Sequence, residues 1–131
     1  MKNRKISLSW KASRKKKKQR KYLIMAPLNA RHKISSAHLS KELRQKYKRR
    51  SMTLRKGDTV KIMIGEFKGK NGKIAVIDHK NYKVYIEGIQ RSKKEGAKIN
   101  VPIHPSNLQI IALDLDDKKR NEKLNKKIGE K

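Results

Sequence analysis

The sequence predicts a mainly β domain. A small barrel sits behind a basic N-terminal extension and a short helix, and a charged helical tail follows it. Three observations carry this expectation. Apolar residues fall into a period of two between Thr59 and Leu113, the spacing of half-buried strands. Glycines and lysines gather where those runs bend: Arg55-Lys56-Gly57-Asp58-Thr59-Val60-Lys61, then Gly65, Lys68-Gly69 and Gly72-Lys73. Charge is unevenly spread. The net charge is +27 over 131 residues, and positions 1–57 hold 21 Lys+Arg against one acid, Glu42. A basic leader and basic loops on a small β module suit a negatively charged polymer better than a small substrate.

Four segments follow: a basic extended arm (1–33), a short helix and linker (34–53), the barrel (54–113) and a charged helical tail (114–131). The arm contains Arg14-Lys15-Lys16-Lys17-Lys18, then Arg20-Lys21. Like charges this dense repel one another, so the arm orders best along a phosphate backbone. Trp10, Tyr22, Leu23, Ile24 and Met25 are interleaved with them, to pack on the β domain or against nucleotide bases. Pro27 disfavours helix at Ala26.

Ser40 to Tyr47 is predicted as a helix. Ser40 is a good N-cap, Glu42 lies in the first turn where the helix dipole favours an anion, and Lys46, Lys48, Arg49 and Arg50 gather at the far end. Leu39, Leu43 and Tyr47 form one narrow stripe to pack on the β domain. Lys41, Arg44 and Lys48 then face solvent or phosphate.

Five strand units are predicted, the fourth of them a hairpin arm. Val60, Ile62 and Ile64 alternate with Thr59, Lys61 and Met63 in the first. Ile74 and Val76 mark the second. Tyr82, Val84 and Ile86 mark the third, after turn chemistry at Asp78-His79-Lys80-Asn81. A longer hairpin arm runs from Gln90 to Lys94, turns near Glu95-Gly96 and returns through Ile99, Val101 and Ile103, with Pro102 confining it to an edge or strand end. His104-Pro105-Ser106-Asn107 is a turn, and Leu108 to Leu113 is the last strand. In the tail, Asp114 or Asp116 is the expected cap, and Leu115, Leu124 and Ile128 are the apolar contacts.

Composition excludes other classes. The chain has no cysteine, so disulfides and thiolate metal sites are out. His32, His38, His79 and His104 are too scattered for a zinc site. No apolar run approaches the roughly 18 residues of a membrane span, and no amphipathic helix suits a membrane surface. Ile6 to Trp10 is too short for a signal-peptide core, so a cytoplasmic, unprocessed chain is expected. Asp58, Glu66, Asp78 and Glu87 are scattered and read as solvated charges and caps, not as the clustered carboxylates of a metal-dependent nuclease. No enzyme activity, metal, cofactor or small-molecule substrate is expected.

The segment Lys56-Gly57-Asp58-Thr59-Val60-Lys61-Ile62, with Gly65, Lys68-Gly69 and Asn71-Gly72-Lys73-Ile74, resembles the KOW module of ribosomal and transcription proteins. Its spacing has physical reasons. Gly57-Asp58 turns the chain into the first strand, while Gly69 and Gly72 allow close backbone approach. Lys68, Lys70 and Lys73 put cations on that loop, where Phe67 serves either as a core anchor or as a base contact. The flanks resemble one family more narrowly. These are Ala26-Pro27-Leu28, Arg31-His32-Lys33, Ser40 to Tyr47, Arg50-Ser51-Met52 and Val101 to Asn107. That family is ribosomal protein twenty-four of the large subunit in its archaeal and eukaryotic form, numbered twenty-six in eukaryotes. The resemblance covers roughly Ser13 to Lys119, and Met1 to Ala12 has no match.

The resemblance implies an SH3-like KOW barrel that binds large-subunit ribosomal RNA, acts early in subunit assembly and lies near the exit of the nascent-peptide tunnel. Its partners would be that RNA and neighbouring ribosomal proteins, in the cytoplasmic ribosome. RNA contacts would come from Arg14, Lys15, Lys16, Lys17, Lys18, Arg20, Lys21, Arg31, His32 and Lys33. They would continue through Arg44, Lys48, Arg49 and Arg50 and the barrel loops at Arg55, Lys56, Lys68, Lys70 and Lys73. A KOW-containing transcription elongation factor and a general nucleic-acid-binding protein are the alternatives.

Overall fold

The computed structural model describes residues 13–129. Trp10 and the rest of the unmatched leader lie outside them. Helices α1 (Lys16–Met25) and α2 (Leu28–Ile34) lead into β1 (Ser36–Leu39), α3 (Lys41–Tyr47) and β2 (Ser51–Thr53). Strands β3 (Thr59–Ile62), β4 (Asn71–Asp78) and β5 (Lys83–Ile86) follow. Then come β6 (Gln90–Ser92), β7 (Lys98–Asn100), a 3-10 turn at Pro105–Asn107, β8 (Leu108–Ala112) and α4 (Lys118–Gly129).

Six strands form one sheet in the order β2-β1-β8-β3-β4-β5, while β6 and β7 pair only with each other. The predicted closed barrel is corrected here, because the sheet is open, with β2 and β5 at its edges. Beyond β5 the pairing shrinks to a single bridge, Val84 to Ile103. Pro102 precedes that bridge and has no N–H to extend it. The β6–β7 ribbon is exposed along its whole length, so it has no apolar face with which to wrap the sheet shut.

The sheet also recruits residues expected to be linker. β1 runs parallel to β8 (Leu39 opposite Ile110) and antiparallel to β2. Four residues are too few for a period of two to declare itself, yet Ala37 and Leu39 point inward as a strand requires. The core comprises Leu39, Leu54, Val60, Ile62, Ile74, Val84, Ile86, Leu108 and Ile110, all within 2% of full burial.

Two strand assignments shift face. A register irregularity between Ile74 and Val76 turns Val76 outward (56% exposed) and brings Ile77 against the core. One slipped residue reverses every following side chain. β3 ends at Ile62, so Ile64 lies outside and exposed. Tyr82 takes a positive φ of 55° before β5 begins.

The α3 prediction matches. Ser40 Oγ accepts the Leu43 N–H at 3.3 Å, and Leu39, Leu43 and Tyr47 are packed inward. The helix stops where Lys48 turns left-handed. In the tail, Asp117 caps α4 by accepting the Lys119 N–H at 3.0 Å, a correction to Asp114 or Asp116. Asp114 instead accepts the Asp116 N–H.

The basic arm is helical from Lys16, not extended. Lys, Arg, Gln, Leu and Met are all good helix formers. α1 buries none of its own side chains, so it is held from outside. The Arg31 guanidinium donates to Ala26 O at 2.8 Å and Ile24 O at 2.7 Å, satisfying carbonyls at the end of α1. The Tyr82 hydroxyl donates to Leu23 O at 2.8 Å. Ala26 leaves the helix in extended backbone, as Pro27 dictates.

Candidate nucleic-acid interface

Arg14, Lys15, Lys16, Lys17, Lys18, Arg20 and Lys21 are all exposed, on α1 or just ahead of it. Lys16 to Lys18, Arg20 and Lys21 are mounted on a helix with no acid, so their charges sit on a preformed rod. Leu23, Ile24 and Met25 are exposed beside them, Ile24 at 74%.

Other predicted contacts have structural duties. Arg31 is the clamp on α1. Arg44 is half-buried and donates through Nε to Leu39 O at 2.8 Å. Arg49 is also half-buried, while Lys48, Arg50 and Lys56 are exposed. Arg55 is exposed and pairs with Asp117 at 3.3 Å. His32 packs its ring against His79, with centroids 3.9 Å apart. His79 Nδ1 lies 3.2 Å from the hydroxyl of buried Ser35. Burial first, and then the neighbouring His32, push the His79 imidazole below its ordinary range.

In the β3–β4 loop, Phe67 is partly buried and packs against the core, as the anchoring reading expects. Lys70 Nζ lies 5.2 Å from the Phe67 ring centroid. Lys68 is exposed on this loop, while Lys73, expected on the same loop, is exposed within β4 opposite Thr59. Gly72 is required for close approach: a Cβ there would meet Ile86 Cγ2 at 2.5 Å and Glu87 O at 2.9 Å. Gly69 has open space around it, and its need is a φ of +88°, not proximity. Arg91 pairs with Glu66, tying the β6–β7 ribbon to this loop.

The largest departure concerns Asp58, which is fully buried and not solvated. Arg120, 4% exposed, meets it in a two-pronged pair: one guanidinium nitrogen to each carboxylate oxygen, both at 2.7 Å. The N–H groups of Arg55 and Asp114 donate to the same carboxylate, each at 2.9 Å. Arg120 also donates to Asp114 O and Thr53 O. This lock fixes the start of α4 beside β2 and the Gly57 turn.

It shapes a cleft between α2, β2 and the start of α4. The walls include Asn29, His32, Lys33, Met52, Arg55 and Lys119. Of the predicted contacts, Lys33, Arg55 and His32 are brought together here. Lys119 and Arg120 were missing from the prediction. The single signal for them in the sequence is the acid-then-base order Asp116-Asp117-Lys118-Lys119-Arg120, which reads only as a capped helix start. Among the described residues, no three His, Asp or Glu side chains are grouped to hold a metal. No helix there is long and apolar enough to cross a membrane.

The family model for ribosomal proteins L26 (eukaryotic) and L24p (archaeal) matches residues 13–127. The chain belongs to this ribosomal protein family. A relative from Methanosphaera stadtmanae, large ribosomal subunit protein uL24, is 47% identical over 116 residues, covering 88% of this chain and 99% of the relative. As a family member the protein is a structural component of the large ribosomal subunit, located in cytoplasmic ribosomes, and is not an enzyme. The match begins at residue 13, where the sequence resemblance begins.

Proposed function

We propose that this family member binds large-subunit ribosomal RNA, chiefly through α1 and the residues just before it. The observation that carries the reading is the run of exposed cations from Arg14 to Lys21, helical from Lys16, with no acid among them. Each phosphate neutralised by such a cation releases condensed counterions, so binding weakens steeply as salt rises. A helix already formed gives up less conformational freedom on binding than a disordered arm. The sheet supplies a rigid base, and Arg31 and Tyr82 fix the helix to it. Lys48, Arg50, Lys56, Lys68, Lys70 and Lys73 extend the cationic surface over the loops. The resemblance supports two finer parts of the proposal: entry early in subunit assembly, and a position near the nascent-peptide tunnel exit beside other ribosomal proteins.

Filter binding of the full chain to large-subunit ribosomal RNA across salt concentrations tests this. With six to ten phosphate contacts, affinity falls by roughly 10³ or more between about 50 and 200 mM salt. A salt-independent affinity, or equal binding to duplex DNA at matched salt, defeats the proposal. Stepwise reconstitution of the subunit tests assembly order, and crosslinking within it tests position.

A further inference from the structure

The cleft between α2, β2 and α4 has the makings of a seat for one nucleotide. Its volume is about 450 Å³, within the ~300–1,000 Å³ range of clefts that hold small ligands. Three cations stand on it from three separate parts of the chain: Lys33 from α2, Arg55 from the turn after β2, and Lys119 from α4. Arg120 lines it too, but its charge is already met by the buried Asp58 carboxylate. Its task is to hold the wall. Among the described residues, Asp117 is the sole acid in the lining. It pairs with Arg55 at the surface, where side chains are 61% and 40% exposed, and exposed pairs of this kind are weak. An entering phosphate can therefore take Arg55 from Asp117 with little opposition, and the planar guanidinium suits that exchange.

The remaining lining is not what a bare anion needs. Asn29 offers an amide able both to donate and to accept, the pattern a base edge requires. The His32 ring and the Met52 side chain add aromatic and thioether surface. The His32–His79 contact holds that ring in place. A double helix presents its surface over many base pairs, whereas a flipped-out residue of a loop or bulge enters a pocket singly.

We propose that this cleft binds one unpaired nucleotide of an RNA strand. Its phosphate meets Lys33, Arg55 and Lys119, and its base lies toward Asn29, His32 and Met52. The proposal rests on the RNA-binding reading and adds a specific subsite away from α1. The test is a titration of the isotope-labelled full chain, followed by NMR, with three probes at about 50 mM salt: inorganic phosphate, adenosine monophosphate and a single-stranded adenosine trinucleotide. The trinucleotide is expected to move the resonances of Asn29, His32 and Met52 and to bind at least about tenfold more tightly than phosphate. The double substitution Lys33→Ala with Lys119→Ala, at two exposed positions, is expected to weaken it about tenfold and to lower the salt slope by roughly two.

Cleft resonances that ignore the trinucleotide, or respond equally to inorganic phosphate, overturn the proposal. Adenosine monophosphate binding as tightly as the trinucleotide overturns the assignment to a strand, in favour of a free nucleotide. A ribosomal RNA fragment separates the two levels. If wild type and the double variant bind it equally, the cleft claim falls and the RNA-binding reading stands. If wild type itself does not bind, the broader reading falls.

Discussion

Arg120 grips Asp58 across 62 residues of sequence, with both charges buried and both carboxylate oxygens engaged. The pair joins the turn that opens β3 to the helix that ends the described chain. A buried ion pair adds little net stability over an apolar pair, but removing one partner strands the other. Asp58→Ala should therefore destabilise the domain by roughly 3–5 kcal/mol, and Arg120→Ala by a similar amount. The double variant should lose clearly less than the sum, a non-additivity that urea unfolding of all four proteins will measure.

Gly57 lies under the same lock. Its φ is +90°, and a Cβ there would come 2.5 Å from Asp114 Oδ2. Gly65 has a similar φ of +101° and open space around it. Gly65→Ala should lose about 1–2 kcal/mol from backbone strain alone. Gly57→Ala should lose more, because Asp114 must also move. Thermal unfolding of the two variants side by side gives the order, and equal losses would show that Asp114 yields freely.

The histidine contact makes stability depend on pH. His79 is held below its ordinary value near 6.5 by burial, then by His32 and Arg55, with Asp78 opposing. The unfolded chain therefore takes up this proton more readily than the folded one. The neutral imidazole's contribution is present above about pH 6.5 and is lost as pH falls through the lower folded-state value. His104, lowered by burial and then by Lys83, acts in the same direction. Melting temperature should fall between about pH 7.5 and 5, and His79→Gln should flatten part of that fall.

Tyr82 fastens α1 to the sheet by one hydrogen bond. Tyr82→Phe removes the donor to Leu23 O and leaves the ring. Global stability should change by no more than about 1 kcal/mol. The effect should concentrate in α1, whose amides should exchange with solvent several-fold faster while those of β3 and β8 stay protected.

Replacing Lys15, Lys16, Lys17 and Lys18 with serine should weaken binding to ribosomal RNA and lower its salt slope by up to about three. Replacing any single one should have a small effect. Unchanged affinity in the fourfold variant would move the interface away from α1.

Strands β3, β4, β5 and β8 were legible because their apolar residues alternate, and the β6–β7 hairpin because of its turn at Glu95-Gly96; glycine, proline and Asx chemistry mark their ends. Asp78 shows this, accepting the Lys80 and Asn81 N–H groups at 2.9 and 3.1 Å as its turn position predicts. β1 and β2 were not legible. No turn chemistry brackets them as a hairpin, and they become strands because β8 offers β1 an edge, on which β2 pairs in turn. Charge density in the leader pointed to an extended arm, yet Arg31 and Tyr82 make a helix tenable from a distance that no local pattern reveals. The cations were legible as a set. Their division into clamps (Arg31, Arg44) and outward charges depends on which carbonyl lies nearby. Asp58 looked like any surface acid, since its partner is remote in sequence.

The order in which the chain leaves a translating ribosome has a consequence for this architecture. Synthesis runs from the N-terminus, so β1 is made about 70 residues before its parallel neighbour β8, and Asp58 well before Arg120. Until Arg120 has been made, a nascent domain would have to enclose a carboxylate with no cation to meet it. Enclosing Asp58 without an uncompensated buried charge therefore requires the first turn of α4, which carries Arg120.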